Sequence, residues 1–202
     1  MLTIALSKGR QLKDFIDFLK SKELHHLSDA LESVSRELVV ETDSIRFLLV
    51  KGEDVPVYVE EGVADLGITG SDVLYEQKRH INNLMDLPFG YCHFALAAKQ
   101  PQETYPVVAT KYVQFTQDYF DSIMQPVKII YLKGSVELAA TIDMADAIMD
   151  IVQTGTTLRE NGLEEQVQLN KINARLIANK HAFFSKNNEI QSIINQFKKA
   201  GA

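Results

Sequence analysis

Apolar and polar positions follow two rhythms along this chain, and the switching between them predicts short buried strands alternating with amphipathic helices. Residues 2–6 run apolar, as a buried strand does. The polar turn Ser7-Lys8-Gly9-Arg10 then leads into a helix with Leu12, Phe15, Ile16 and Leu19 on its apolar face. Residues 38–40 and 45–50 read as strands on either side of a hairpin turn at Thr42-Asp43-Ser44. Asp54-Val55-Pro56 opens the next helix, with Asp54 suited to cap it and Pro56 to its first turn, and Gly62 closes it. Residues 65–70 form a strand with a glycine-rich exit, after which Ser71 or Asp72 caps a helix.

From Phe89 the character changes. A long strand-like run covers 89–98, and a polar loop covers 99–104. A strand at 107–109, a helix at 112–124, a strand at 127–132 and a helix at 135–142 follow. Residues 167–170 and 174–177 are extended. The end, 189–199, is an amphipathic helix with Ile190, Ile193, Ile194 and Phe197 on one face. Strands and helices alternate with no repeat and no low-complexity linker, so the class is α/β. The long strands near 90 and 175 are placed to cross between two lobes. The expected division is 1–89 plus 176–202 for the first lobe and 90–175 for the second, with the C-terminal helix returning to the first.

The stretch from Asp146 to Leu158 carries the clearest chemistry. It reads as a mostly buried strand with Asp146 near its start and Asp150 near its end. The small, hydroxyl-rich turn Gln153-Thr154-Gly155-Thr156-Thr157 and then a helix start follow it. Such a turn can cradle phosphate: N–H groups of a first helical turn point at the anion, glycine permits close backbone approach, and threonine hydroxyls add donors. The plainer reading is a strand-to-helix turn with a threonine cap. Three more turns follow predicted strands, at 7–10, 67–70 and 133–137. Ligands collect at the carboxyl ends of strands in open α/β sheets, and four such turns, two with Lys or Arg, suit a multiply phosphorylated ligand. Lys8 and Arg10 would oppose a helix dipole if they were only solvated helix-start residues. For Gly67 and Gly70 the alternative is tight packing and a positive-φ turn, and for Ser135 an ordinary helix cap.

Composition narrows the classes. A net charge of −6 argues against a general nucleic-acid binder. The single Cys92 cannot form an internal disulfide and fits a reducing compartment. The apolar run at the N-terminus is too short for a signal peptide and no later run approaches a membrane span, so a cytoplasmic protein is expected. No nucleophile elbow, Cys/His pair or metal-ligand spacing is present, and His80, His93 and His181 stand isolated. The adjacent His25 and His26 would diverge by about 100° on a helix. Any chemistry should therefore rest on positioning and electrostatics.

Several blocks together resemble the ATP phosphoribosyltransferase family. They are Ile4-Ala5-Leu6-Ser7-Lys8-Gly9-Arg10, the Asp54-Val55-Pro56 block running on to Gly70, Ala109-Thr110-Lys111-Tyr112, Leu132-Lys133-Gly134-Ser135-Val136-Glu137, and Ala145-Asp146 through Thr154-Gly155-Thr156-Thr157-Leu158 to Asn161-Gly162-Leu163. The resemblance runs in order from residue 2 to about 178. It implies two α/β lobes, each a mixed sheet flanked by helices, similar to type II periplasmic binding proteins, with the active site in the interlobe cleft. It implies the first step of histidine biosynthesis, in which adenine N1 of ATP attacks the anomeric carbon of phosphoribosyl pyrophosphate and pyrophosphate leaves. Nucleophile and leaving group then both belong to substrates. Mg²⁺ would be held by pyrophosphate oxygens and water, with no metal ligands from the protein.

By the same resemblance Lys8, Arg10 and Asp150 are the catalytic candidates. Asp146, Asp150, Gln153, Thr154, Gly155, Thr156, Thr157 and Leu158 would hold the phosphoribosyl group. Lys8, Gly9, Arg10, Lys51, Gly70, Lys133, Gly134, Ser135 and Glu137 would face ATP or pyrophosphate. Lys51 stands where longer relatives often carry arginine. A chain that stops at Ala202 resembles the family's short form, which works in a hetero-oligomer with a histidyl-tRNA-synthetase-like regulatory subunit. Self-association is expected, and binding to nucleic acid or membrane is not. A rival reading is a two-lobed ligand binder or regulator effector domain without catalysis. The missing export signal and helix-turn-helix segment, and the threonine-rich turn, favour the transferase.

Overall fold

In a computed structural model, which describes residues 1–199, the chain divides into two compact units. One is Met1–Gly90 together with the segment from Asn173 onward, and the other is Tyr91–Ile172. The first unit begins with β1 (Leu2–Ser7), α1 (Arg10–Ser21), α2 (His25–Glu32), β2 (Val39–Glu41) and β3 (Ile45–Val50). A 3₁₀ turn (Gly52–Asp54) then leads into α3 (Val55–Glu60), β4 (Leu66–Gly70), α4 (Ser71–Gln77) and β5 (Asn82–Asp86). The second unit holds β6 (Cys92–Ala98), β7 (Val107–Thr110), α5 (Val113–Ser122), β8 (Lys128–Tyr131), α6 (Val136–Thr141), β9 (Ala147–Val152), α7 (Thr156–Glu160) and β10 (Glu164–Ile172). The chain then completes the first unit with β11 (Ala174–Ala178), α8 (Lys180–Ser185) and α9 (Asn187–Lys198).

The six-stranded sheet has the order β2-β3-β1-β4-β11-β5 and the five-stranded sheet β10-β6-β9-β7-β8. Aligned on their central strands, β3-β1-β4-β11-β5 and β8-β7-β9-β6-β10 are one topology used twice. In each, three parallel strands are followed by one antiparallel to them, β11 on β4 and β6 on β9. The architecture is the mixed α/β, periplasmic-binding-protein-like one expected.

Burial explains the strand patterns. Ile4, Ala5 and Leu6 are fully buried because helices cover both faces of β1. One face packs Phe15, Phe18 and Phe89 against Phe197 of α9, with ring centroids 5.3–6.3 Å apart. Each such ring contributes about 1.5–3 kcal/mol of burial. The other face takes α3 through Val55 and Val59. In the second unit Phe94 stacks on Phe115 of α5 at 3.6 Å, while Ala95, Ala97 and Ile148 face Val136 and Leu158 of α6 and α7.

Several local expectations change. The hairpin at 42–45 forms as read, with Thr42 Oγ1 accepting from Ile45 N at 3.0 Å. Asp54 ends the 3₁₀ turn and caps nothing with its side chain. α2, β5 and α8 have no counterpart in the sequence reading. A boundary at 175/176 would cut β11, which lies wholly in the first unit.

Candidate functional site

In the first unit the carboxyl ends of the parallel strands β3, β1 and β4 gather five of the sequence candidates, Lys8, Gly9, Arg10, Lys51 and Gly70. Ser7 pairs with Val50, Lys8 N donates to Val50 O at 3.4 Å, and a Cβ on Gly52 would lie 3.6 Å from that of Ser7, so the 7–10 turn and Lys51 are neighbours. Gly9 opens α1 at φ +83 with open space around it, so conformation and not crowding favours glycine there. Lys8, Gly9, Arg10 and Lys51 are all exposed. Lys8 Nζ donates to Arg36 O at 3.4 Å. Beside it, N–H groups of Glu37 itself and of Ser35 hold the Glu37 carboxyl below the usual carboxylate range, with Lys8 a smaller cause.

Gly70, not Ser71 or Asp72, is the residue that opens α4, and its φ of −73 is ordinary. A Cβ on Gly70 would collide with Asp72 Oδ1, and Gly67 is crowded too. A Cβ there would meet Val59 at 2.7 Å and Val55 at 2.9 Å, so its absence lets α3 lie on β4. Its need is packing, without the positive φ that was the other half of that expectation.

In the second unit β8, β7 and β9 end together, Thr110 lying between Tyr131 and Met149. Thr110, fully buried, donates to Met149 O at 2.6 Å and accepts from Tyr112 N at 2.8 Å, which locks the strand ends under the loops. Lys133, Gly134 and Ser135 are exposed at this edge, and Glu137 is half-buried in the first turn of α6. Ser135 sits at φ +49 and makes no side-chain cap, contrary to the cap reading.

The 153–157 turn follows β9 directly. Asp150 is half-buried near the strand end, where its Oδ1 accepts from Ile151 N at 2.8 Å. Gly155 opens α7 at φ +68, a left-handed conformation that a branched side chain resists. No side chain caps α7, so a threonine cap is not what the hydroxyls are for. Thr154, Thr156 and Thr157 are exposed, and the hydroxyls of Thr154 and Thr156 share a hydrogen bond at 3.1 Å. Leu158 is the exception among the expected binding residues. It is 5% exposed and points into the core of α6 and β9, so it anchors the turn and offers a ligand no side-chain contact.

Asp146 does not join this group. It precedes β9, a strand of six residues and therefore about 20 Å long, and lies at the far end from the turn. There its Oδ2 accepts from Val107 N at 2.8 Å while its own N–H donates to Val107 O at 2.8 Å, pinning the start of β7. Asp65 does the same before β4: Oδ2 accepts from Thr3 N at 2.8 Å and its N–H donates to Thr3 O at 2.9 Å. The recurrence of Ala-Asp just before the central strand of each unit, Ala64-Asp65 and Ala145-Asp146, was the available signal.

Sequence reasoning passed over Arg159 and Glu165 and read His93 as isolated. Arg159 Nη1 donates to Thr154 O at 3.0 Å and Nη2 to Thr156 Oγ1 at 3.2 Å, which closes a cation onto the turn. Glu165 Oε1 lies 3.6 Å from where a Gly155 Cβ would be, and Glu165 Oε2 meets His93 Nε2 at 2.7 Å. His93 is therefore not isolated. The i+4 spacing from Gly155 to Arg159 was legible; the His93–Glu165 contact joins two strands 72 residues apart.

Together the second-unit edge offers backbone N–H groups, hydroxyls, one guanidinium and a carboxylate, the groups that hold a sugar phosphate. A comparison with protein families matches residues 51–199 to HisG: ATP phosphoribosyltransferase. An ATP phosphoribosyltransferase of Staphylococcus carnosus is 59% identical, the match covering 97% of this chain and 96% of that one, and another of Staphylococcus saprophyticus is 52% identical over 96% and 95%. Among solved structures, an ATP phosphoribosyl transferase (HisG:HisZ) complex from Thermotoga maritima contains a chain similar at TM-score 0.81 and 31% identity, covering 98% of this chain and 97% of that one. The periplasmic aliphatic sulphonate binding protein SsuA from Escherichia coli, at TM-score 0.66 and 15% identity over 100% and 72%, shares the fold.

Proposed function

We propose a mechanism and a partner for this chain, which belongs to the ATP phosphoribosyltransferase family and is a transferase of histidine biosynthesis. In the proposed reaction, the turn at 153–157 holds the 5-phosphate of phosphoribosyl pyrophosphate, and Asp150 accepts hydrogen bonds from the ribose hydroxyls. Adenine N1 of ATP attacks the anomeric carbon. The N1–C1 bond forms as the C1–O bond to pyrophosphate breaks, and the electron pair leaves on pyrophosphate. Lys8 and Arg10, with Lys51, Gly9 and Gly70 beside them, face ATP and the departing pyrophosphate and stabilise its growing charge. Lys133, Gly134, Ser135 and Glu137 are further proposed contacts for ATP or pyrophosphate. The observation that carries this reading is the turn itself: uncapped, with exposed threonines and Gly155 in a left-handed conformation just after the strand that ends with Asp150, Ile151 and Val152.

Among the described residues no three His, Cys, Asp or Glu side chains gather where they could hold an ion. In the proposed reaction Mg²⁺ would enter as part of the substrate, bound to pyrophosphate oxygens and water. Among the described residues no helix is long and apolar enough to cross a membrane. As an enzyme of amino-acid biosynthesis it is proposed to work in the cytoplasm.

We also propose that this is the short catalytic form. The Staphylococcus carnosus relative is matched over 96% of its own length, and the Thermotoga maritima neighbour was solved in a complex with HisZ. The partner is then a histidyl-tRNA-synthetase-like subunit that raises turnover and confers histidine sensitivity, with self-association of the catalytic chain in the hetero-oligomer. The test is pyrophosphate release from ATP and phosphoribosyl pyrophosphate, against histidine, for the chain alone and with the partner. Low, histidine-insensitive activity alone and higher, histidine-inhibited activity in the mixture are expected, a coupling of about 1–3 kcal/mol. Micromolar inhibition of the chain alone overturns the short-form assignment; no release under either condition overturns the catalytic one.

A further inference from the structure

A phosphate group carries nearly two negative charges, and neutral N–H and hydroxyl donors alone do not balance them. Arg159 supplies a cation at the turn. Its Nη1 lies 3.0 Å from the position a Gly155 Cβ would take, on the side of the turn where Thr156 carries its hydroxyl. We propose that Arg159 is a specificity-determining residue for the phosphate end of the phosphoribosyl substrate, and that Glu165 is a positioning residue acting through it. This rests on the reading of the 153–157 turn as the phosphate site.

The two acceptors that hold Arg159, Thr154 O and Thr156 Oγ1, are both neutral and both belong to the turn. A phosphate oxygen is the stronger acceptor. The guanidinium can exchange those partners for the anion with a small displacement, and the Thr156 hydroxyl, which only accepts from it, keeps its own O–H to donate. An exposed arginine left to itself samples many rotamers, and order is needed for it to act as a selective contact. Glu165 biases that choice by its charge alone, with no ion pair to Arg159. Its Oε1 stands 3.6 Å from the same notional Cβ, so carboxylate and guanidinium flank Gly155 together. Glu165 is itself held by His93 at 2.7 Å, from a side chain only 14% exposed on β6.

A carboxylate beside an anion site repels the ligand if it acts alone. Any benefit from Glu165 must therefore pass through Arg159, which makes the claim separable by a double-mutant cycle. The variants are Arg159→Met, Arg159→Lys, Glu165→Gln and the Arg159→Met/Glu165→Gln double variant, each checked for an unchanged melting transition. Titration calorimetry with phosphoribosyl pyrophosphate and, separately, ATP reads the outcome. Arg159→Met should weaken phosphoribosyl pyrophosphate about ten- to a hundredfold and ATP less than about twofold, with Arg159→Lys recovering part of the loss. Glu165→Gln should cost about threefold with Arg159 present, and nothing, or a gain, in the Arg159→Met background.

Unchanged sugar-phosphate affinity in Arg159→Met, or equal weakening of both substrates, overturns the assignment of Arg159. An equal loss from Glu165→Gln in both backgrounds overturns the positioning role. Failure of the unsubstituted chain to bind phosphoribosyl pyrophosphate would instead remove the underlying reading of the turn, and this proposal with it.

Discussion

β4 in the first unit and β9 in the second occupy the same place in two sheets of one topology, and each is introduced by an Ala-Asp pair whose carboxylate pins the start of the neighbouring parallel strand. Their exits differ. Around β4 the glycine lies inside the strand, where it admits Val55 and Val59 of α3, and the structure fills that space with its own side chains. After β9 the glycine lies beyond the strand, at φ +68, among exposed threonines and an arginine. The same residue type thus serves packing in one unit and an open, polar turn in the other. A glycine after a strand becomes evidence for a ligand only once its surroundings are known.

The contrast can be broken most forcefully at Gly67. Gly67→Val would drive three carbons against Val55, Val59 and Ile177, and overpacking on that scale should cost about 3 kcal/mol of stability. Urea unfolding at an unchanged slope measures it, and a loss below 1 kcal/mol would mean that α3 can shift and that Gly67 is not a packing residue.

Asp150→Asn comes next. If its carboxylate holds ribose hydroxyls, phosphoribosyl pyrophosphate should bind about 1.5–3 kcal/mol more weakly while ATP binding stays nearly constant. Equal loss for both ligands would make Asp150 a strand-end structural residue instead. The paired aspartates sharpen the comparison further. Asp65 bonds both oxygens to Lys186 Nζ at 2.8 Å, whereas among the described residues no such ion pair is formed by Asp146. Asp65→Asn should therefore cost about 2 kcal/mol, and Asp146→Asn less than about 1 kcal/mol, because the amide oxygen can still accept from Val107. Thermal melting of the two variants reads the difference; a strong loss of sugar-phosphate affinity in Asp146→Asn would restore that residue to the site.

Much of the architecture was legible because it is written in periodicity. The continuous apolar runs of β1 and β6 and the i, i+3, i+4 faces of α1 and α9 leave no alternative element. β5 was not legible: Asn82-Asn83-Leu84-Met85-Asp86 lacks a strand pattern and forms one because β11 offers a free edge. α2 begins at a His pair with no capping side chain and is held by the burial of Leu27 and Leu31. At the site, sequence placed the glycine and threonines correctly after a strand and Asp146 near that strand's start, but the resemblance still grouped Asp146 with the turn. Proximity in sequence is not proximity in space when a strand of about 20 Å intervenes. Leu158 erred in the other direction, adjacent to the turn and yet turned inward. Glu165 and His93 reach the turn only through strand pairing, which leaves no local mark.

The central claim is that the second-unit turn, and not its first-unit counterpart, receives the phosphoribosyl phosphate. Gly155→Val tests it most directly, because a branched side chain at φ +68 would fill the space beside Arg159 where the proposed phosphate would meet backbone. Calorimetric titration of the folded variant with phosphoribosyl pyrophosphate should show affinity reduced at least about a hundredfold. An affinity equal to that of the unsubstituted protein, in a variant with a native melting transition, would contradict it.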